Sequence, residues 1–418
     1  MRRLFRGTLI IPLLLAAVHA YAGSGGSIYS FLGIGDLRMS PSVRSAGMGY
    51  TGYATPAPYA INTMSPATWS RIDRARIEGG LHYEGFSSSN GSTSRFLARA
   101  DVSAALLALP LSQAQGIVVV AGFTPFSKVD YNTYTNGTFI GSADTLAYAI
   151  NHTGRGGISK AILGSSWAPT KSLAFGANLN YLFGTVERTS SIIPRSSTFP
   201  GSDQTEESTM SGTTFTISTV VDSLGEVSPL LAPFSFGIAF TTGTNLTTTH
   251  RYTYLFTDLR DTTQETEEAF GIPTTFGFGL SYRASDRVVL AADVVTQAWS
   301  GSLFRGKTPS GLRNSTMIGI GMERTPARES GQPLLDRIAY RFGAMYHQTY
   351  IAPNGDPINA WAVTAGLGIP VSADTRLNLA IEYGSRGTTD KNMIRDNIIR
   401  FSASLTISEL WFQRYEEE

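Results

Sequence analysis

The stretch TRLNLAIEYG (residues 375–384), which IRFSASLTI (residues 399–407) echoes after a polar break, decides the fold of this chain. In the first segment Leu377, Leu379 and Ile381 alternate with polar or charged residues such as Arg376 and Glu382. A period of two predicts β-strands, because successive side chains point to opposite faces of a sheet. One apolar and one polar face fit a strand pair between lipid and a wet lumen. A soluble antiparallel sheet with one solvated face gives the same pattern, so the rest of the chain has to decide.

The first residues have the pattern of a secretory signal. Arg2, Arg3 and Arg6 precede a short apolar run over residues 9–18, and Ala20-Tyr21-Ala22 has the form of a cleavage site. We therefore expect a signal peptide over residues 1–22 and a mature chain that begins at Gly23. The apolar run is too short for a membrane-spanning helix.

The composition favours a barrel in a membrane. Charged residues make up 16% of the chain, whereas soluble domains carry about 25%. The mature chain has no apolar run of about 18 residues or more, so a helical span is not expected. There is no cysteine for a disulfide or a thiolate metal site. A net charge of +1 gives no argument for nucleic acid binding.

Residues 23–73 do not alternate and are rich in small side chains, which allow close backbone packing. We predict that this segment is a plug inside the barrel. A flexible leader is the alternative, but it would leave apolar residues such as Met48, Tyr50 and Trp69 in water. The plug residues to which we attach most weight are Gly47, Gly49, Gly52, Ser65, Pro66 and Ala67.

From Ala75 onward, strand patterns follow one another. Alternation is clear over about 96–106, 173–183, 275–283, 288–297, 337–347 and 361–369. Because bacterial barrels have even strand numbers and alternate short turns with long loops, we assign residues 190–228, including the alternating stretch 213–221, to one external segment. Tight turns are expected at 169–171, 242–245, 284–286 and 371–373. The prediction is an all-β fold: a 14-stranded antiparallel transmembrane β-barrel over 74–412, with a polar C-terminal tail at 413–418.

Two windows carry a family resemblance. SAGMGYTGYA (45–54) with the turn Ser65-Pro66-Ala67, and IPTTFGFGLSY (272–282) with DVVTQAWS (293–300), resemble the FadL-type outer-membrane transporters of hydrophobic compounds. That family has Asn where this chain has Ser65. The resemblance implies an N-terminal plug and fourteen strands in the outer membrane of a Gram-negative cell. It further implies plug-gated uptake of hydrophobic compounds such as long-chain fatty acids.

The C-terminal sequence WFQRYEEE (411–418) points to an alternative. Barrels of this kind usually finish on an aromatic residue that the outer-membrane assembly machinery recognises, whereas this ending is similar to the Bacteroidota and Chlorobi branch of the superfamily. Some members of that branch are PorV-like components of type 9 secretion that bind secreted cargo. The expected partners are therefore membrane lipids, a hydrophobic small molecule and the assembly machinery, with secretion-system proteins under the alternative.

Candidate site residues follow from the inward parity of the strands. A ligand carboxylate would need a lumen cation, and the candidates are Arg99, Arg283, Arg337, Arg341, Arg376 and Arg400. For each of them a salt bridge with a lumen carboxylate is the competing interpretation. Gly154, Gly156 and Gly157 predict a kink in the fourth strand, where a FadL-like lateral gate would lie. The isolated histidines and the absence of a G-x-S-x-G motif predict neither a catalytic site nor a metal or cofactor.

Overall fold

The computed structural model describes residues 26–38, 42–57, 59–140, 145–196, 200–222, 225, 228–256, 259–263, 265–304, 306–327, 332–372 and 374–409. The predicted signal peptide and the C-terminal tail lie outside the described residues. Within the described ranges, no helix is both long enough and apolar enough to cross a membrane.

The wall is a closed antiparallel barrel of fourteen strands in the described residues, because the last strand pairs with the first along its whole length. In chain order the strands are Asp36–Leu37 (β1, inside the barrel), Ala75–Ser89 (β2), Ser94–Ser112 (β3), Ile117–Pro125 (β4), Ser127–Ile140 (β5), Thr145–Trp167 (β6), Leu173–Pro194 (β7), Ser202–Asp222 (β8), Phe234–Thr241 (β9), Thr244–Phe256 (β10), Leu259–Thr262 (β11), Thr266–Ile272 (β12), Thr275–Ser285 (β13), Val288–Gln297 (β14), Ser315–Arg324 (β15), Ala339–Gln348 (β16), Asn359–Pro370 (β17), Arg376–Gly387 (β18) and Arg395–Glu409 (β19). The predicted all-β fold with fourteen strands is confirmed.

Three wall strands consist of more than one piece: β4 with β5, β9 with β10, and β11 with β12 and β13. Because β9 and β10 both run antiparallel to β8, the chain continues through residues 242–243 without reversing. The predicted tight turn at 242–245 is therefore wrong. The external segment over 190–228 is also wrong, since Ser202–Asp222 is a strand. Its many β-branched threonines favour extended structure, and the two errors cancel in the strand count.

The two ends of the barrel differ. At the short-turn end the connections include 113–116, 168–172 and 286–287, and the longer 325–338 contains a helical turn, Leu334–Arg337 (α2). At the long-hairpin end, 298–314 and 349–358 connect strands. Strands β6–β8 have 21–23 residues, whereas β14–β18 have 10–12. At about 3.3 Å per residue and a tilt near 40°, a strand of 22 residues rises roughly 55 Å, well beyond an apolar band of about 25 Å.

The two faces of the wall follow the predicted alternation. Large apolar side chains such as Ile381 and Phe401 are exposed on the outside, while Glu382 and Ser402 are buried inside. Strand β3 departs from the prediction: a bulge at Ser103 turns Ala104 and the residues after it toward the interior. An extra residue in one strand reverses the parity beyond it.

The described residues between 26 and 73 lie inside the barrel, and we call them the luminal segment. It contains a 3₁₀ turn at Ile28–Phe31, β1, a helical turn at Val43–Ala46 (α1) and a 3₁₀ helix at Pro66–Arg71. Met48 and Trp69, two of its apolar residues, are fully buried. The segment begins near the long-hairpin end and reaches the short-turn end at Arg71, which pairs with Asp222.

Candidate functional site

The lumen at the long-hairpin end is filled by apolar side chains, which we call the mouth cluster. They come from the luminal segment, from the wall strands and from the two long hairpins 298–314 and 349–358. The members are Tyr29, Ile34, Ile158, Leu182, Met210, Leu246, Phe270, Ile272, Trp299, Tyr350, Ile351 and Ile358. Trp299 is fully buried and stacks on Tyr350 with ring centroids 4.5 Å apart. Phe304 packs edge-on against Phe270 at 4.2 Å. These side chains make the mouth compatible with an apolar molecule.

Next to the mouth cluster a layer of charged side chains crosses the lumen, and we call it the belt. Each of its five cations is within 4.0 Å of at least one of its five carboxylates. The members are Asp36, Arg38, Glu84, Arg99, Asp101, Lys128, Glu382, Arg386, Asp396 and Arg400. The layer therefore carries no net charge.

Glu84 is the centre of the belt. Its side chain is fully buried and lies 2.7 Å from Arg38, 2.6 Å from Arg99 and 2.5 Å from Arg400. The Tyr50 hydroxyl of the luminal segment joins this network by donating to Glu382. Sequence reasoning missed Asp36, Arg38 and Glu84. The inward parity of Glu84 was a usable signal, but a residue outside the regular strands, such as Arg38, has no parity to read.

The predicted lumen cations fall into different environments. Arg99 and Arg400 belong to the belt, and Arg341 lies 2.8 Å from Glu323. Arg283 is half exposed and lies 3.8 Å from Asp222. Arg337 and Arg376 have no carboxylate within 4.0 Å among the described residues. The structure thus brings together two of the six candidates in the belt, where carboxylates already occupy them.

Close backbone contacts also hold the luminal segment. Gly49 has a φ of +62°, and a Cβ there would lie 2.3 Å from the Ile320 carbonyl oxygen, so a larger residue does not fit. The Asp293 carboxylate accepts hydrogen bonds from the backbone N–H groups of Gly52 (2.5 Å) and Tyr53 (2.9 Å). The wall carboxylates therefore bind the luminal backbone as well as cations.

The other predicted luminal residues pack in the same close manner. The Ala67 N–H donates to Ser218 Oγ at 2.8 Å. Ser65 occupies the N-cap position of the 3₁₀ helix that begins at Pro66, although its side chain makes no capping hydrogen bond. Gly47 faces Gly366 of the wall, with 3.0 Å from an added Cβ to the Gly366 Cα.

The wall opens between β3 and β5. Strand β3 pairs with β4 only from Ala105 onward, and β5 pairs with β6 on its other side. In this gap β1 forms a two-residue ladder with β5, in which Leu37 faces Ser127. Ion pairs from Asp36 and Arg38 then reach Arg99 and Asp101 of β3. A short piece of the luminal segment therefore occupies the place where two wall strands separate.

The glycines predicted to kink the fourth strand lie in β6, on the other side of β5 from this gap. Gly156 and Gly157 have φ values of +105° and +145° and lie in a β6 that stays continuous. The break itself is in the neighbouring third strand, at Phe126 between β4 and β5. A Cβ on Gly157 would lie 2.3 Å from the Ser127 carbonyl oxygen, and one on Gly154 would lie 2.1 Å from the Tyr131 ring.

The fold brings His82, Glu84 and Asp101 together, with one ligand atom of each within 4.8 Å of the others. The chain positions alone did not indicate this. Glu84 and Asp101 already accept ion pairs from surrounding cations, among them Arg38 and Lys128. A metal ion would have to compete with these fixed positive charges, so the group fits a part of the belt better than a metal site.

At the short-turn end the lumen widens into a cavity of about 900 Å³, which we call the vestibule. Arginines from the luminal segment and the wall line it, including Arg44, Arg283 and Arg376. Just outside it, Asp336 lies 2.6 Å from Arg324 and 3.4 Å from Arg287, and the hydrogen bond from Arg324 lowers the pKa of the Asp336 carboxyl below its usual range.

Comparisons with known proteins identify the family. The sequence profile of the BamG family matches residues 4–416, so the chain belongs to the BamG family. The curated protein sequences contain no significant match to it.

Several solved structures share the barrel. The Pseudomonas putida toluene transporter TodX is 16% identical, with a TM-score of 0.58 over 90% of this chain and 100% of that one. The CymD monoaromatic hydrocarbon channel is 14% identical, with a TM-score of 0.57 over 90% and 98%. A Pseudomonas aeruginosa FadL homologue is 12% identical, with a TM-score of 0.57 over 89% and 99%. At these identities the likeness is one of fold.

Proposed function

We propose that this BamG-family protein is an outer-membrane barrel that takes up compact hydrophobic molecules at its long-hairpin end and releases them sideways through the gap between β3 and β5. The observation that carries the proposal is the layering of the lumen. An apolar mouth lies directly next to a neutral layer of paired charges, and the wall opens beside both. The toluene and monoaromatic hydrocarbon transport named for the structural neighbours agrees with this chemistry.

The belt argues against a straight passage. An apolar molecule crossing it would separate buried ion pairs without supplying hydrogen bonds in return, and breaking such a pair costs about 3–5 kcal/mol. Opening the gap requires β1 to leave its two-residue ladder with β5, and it breaks the ion pairs that Asp36 and Arg38 make with the belt. It leaves the pairs of Glu84 with Arg99 and Arg400 in place, so fewer buried pairs separate than in a straight passage. In this proposal the luminal segment is the plug, and movement of β1 opens the side exit.

The space inside the lumen favours a compact ligand. Between the mouth cluster and the belt lies a cavity of about 120 Å³ that Val43, Met345, Tyr350 and Ile398 help to line. An apolar cavity of about 150 Å³ holds benzene, so a molecule of that size is the largest that this smaller, partly charged space takes without rearrangement. A long-chain fatty acid, the class expected from the family resemblance, would require a larger displacement of the luminal segment. Arg386 and Arg400 also line this cavity, and either would have to leave its carboxylates to bind a fatty-acid head group.

A disulfide lock tests the side exit. Leu37 and Ser127 are register partners, and the natural chain has no cysteine. Antiparallel partners have Cα atoms about 4.5–5.5 Å apart, which suits a disulfide. In cells whose outer-membrane route for hydrocarbons is this barrel, the oxidised L37C/S127C variant should lose most uptake of labelled toluene, and reduction should restore it.

A matched disulfide between Leu367→Cys and Leu379→Cys, partners in the wall between β17 and β18, should leave uptake unchanged. Equal toluene uptake by the oxidised and reduced lock would rule out the side exit. No uptake by the unmodified chain, with labelled oleate failing as well, would rule out the transport proposal as a whole.

A second candidate is the PorV-like role of binding secreted proteins. The lumen blocked by the belt supports it. Exposed apolar residues at the long-hairpin ends of β5, β10 and β11 support it as well, namely Phe139, Ile140, Phe256 and Leu259. Affinity purification from envelope fractions distinguishes the candidates. Stable secretion-system partners that are lost on Phe139→Ser and Ile140→Ser substitution, together with no toluene uptake, would favour the secretion role.

A further inference from the structure

The charges of the vestibule are unbalanced, in contrast to those of the belt. Its lining contains six arginines but three carboxylates among the described residues: Arg44, Arg71, Arg283, Arg287, Arg341 and Arg376 against Asp222, Asp286 and Glu323. A cleft lined by one sign of charge concentrates counter-ions. The surplus therefore favours an anion at this end of the lumen.

Asp336, just outside the lining, offsets part of the surplus because it lies 3.4 Å from Arg287. The rest arises because two carboxylates in the lining are each shared by two arginines. Asp222 lies 3.1 Å from Arg71 and 3.8 Å from Arg283. Glu323 lies 2.5 Å from Arg44 and 2.8 Å from Arg341. At each of these two positions, one carboxylate neutralises only one of the two arginines that it contacts.

Arg376 is the centre of the surplus. Its side chain is more than nine-tenths buried, and no described carboxylate lies within 4.0 Å of it. Its Nε and Nη1 atoms have no hydrogen-bond partner among the described residues. The centroid of the Tyr59 ring lies 4.0 Å from the guanidinium carbon, a cation–π contact that does not supply the missing carboxylate. A buried guanidinium without a carboxylate is costly, and a bound anion would offset that cost.

We propose that the vestibule binds a small oxyanion, a carboxylate or phosphate group, through Arg376 and the neighbouring arginines. Bidentate arginine–oxyanion contacts have the geometry that such groups require. The depth of Arg376 favours a slim anionic group over a folded partner surface. This site lies at the opposite end of the lumen from the mouth cluster and does not depend on hydrocarbon uptake.

Calorimetric titration of the full-length barrel in neutral detergent tests the proposal, with sodium octanoate, n-octanol and inorganic phosphate as probes. We expect saturable binding of octanoate or phosphate, weaker at high salt. The affinity for octanol measures what the apolar chain alone contributes to binding. Binding of octanoate but not phosphate identifies a carboxylate amphiphile as the ligand class, and binding of phosphate identifies a free phosphate or a phosphate head group.

The variants locate the site. Arg376→Met should weaken binding at least tenfold, since a charge-assisted contact contributes about 1.5–3 kcal/mol. Arg74→Met is the control: it removes a cation at the same end, but one that has its own carboxylate, Asp374, at 2.8 Å. Its affinity should stay within twofold of the unmodified protein.

If Arg376→Met fails to give the heat-modifiable mobility of a folded barrel, the half-exposed Arg283 carries the test, and Arg283→Gln should weaken binding severalfold. The proposal is overturned if neither octanoate nor phosphate binds more tightly than octanol, or if a folded Arg376→Met or Arg283→Gln variant binds the anion as well as Arg74→Met does.

Discussion

The mouth cluster and the belt occupy neighbouring layers of one lumen and hold the luminal segment by opposite means. In the mouth, contacts such as Trp299 on Tyr350 are apolar and non-directional, so side chains can repack around a guest molecule. In the belt, Glu84 is fixed by three arginines, and a lost partner leaves a buried charge. The difference suggests that one layer can admit a ligand while the other keeps the barrel closed.

The largest expected effect comes from the centre of the belt. Glu84→Ala leaves Arg38, Arg99 and Arg400 without their shared carboxylate and should lower the free energy of unfolding by about 3–5 kcal/mol. It should also make the luminal segment accessible to protease in the folded barrel. Denaturant unfolding in detergent and limited proteolysis measure the two effects.

The control for this experiment is Glu187→Ala, because Glu187 pairs with the largely exposed Arg155 at 2.9 Å on the outer surface. Its effect should stay below about 1 kcal/mol. Equal losses for Glu84→Ala and Glu187→Ala would mean that the belt does not hold the luminal segment.

The next effect concerns the mouth. Trp299→Ala removes a fully buried ring and should cost about 3 kcal/mol by leaving a cavity. The belt is untouched, so the luminal segment should stay resistant to protease, while toluene uptake changes. Proteolysis of this variant at the rate of Glu84→Ala would contradict the division of roles between the layers.

The smallest expected loss of unfolding free energy comes from removing one tyrosine hydroxyl, once beside the belt and once in the mouth cluster. Tyr50→Phe removes a hydroxyl that donates to the Glu382 carboxylate, and Tyr350→Phe removes one that donates to the Gly35 carbonyl at 3.1 Å. Bonds to charged groups contribute about 1.5–3 kcal/mol and neutral ones about 0.5–1.5 kcal/mol. Unfolding of both variants should therefore show the larger loss for Tyr50→Phe, and the reverse order would refute the comparison.

Alternation predicted the strands and their inward faces correctly where one face of the wall meets apolar surroundings and the other meets a polar lumen, as in β18 and β19. It failed where that contrast disappears. Strand β8 is polar over much of its length and was interpreted as a loop, although its threonines favour a strand. A single bulge at Ser103 then reversed the faces of β3, because parity carries no information about an inserted residue.

The sequence by itself determined the class of the molecule: period-two alternation, low charge and a small-residue leader predict a fourteen-stranded barrel, whatever the loop details. The tertiary structure alone decided the chemistry of the lumen. Asp36, Glu84 and Arg400 are far apart in the chain, and only barrel closure and the path of the luminal segment bring them together. Whether an inward arginine is neutralised, as Arg99 is, or left without a carboxylate, as Arg376 is, depends on these long-range distances, because electrostatic energy falls with separation in space and not along the sequence.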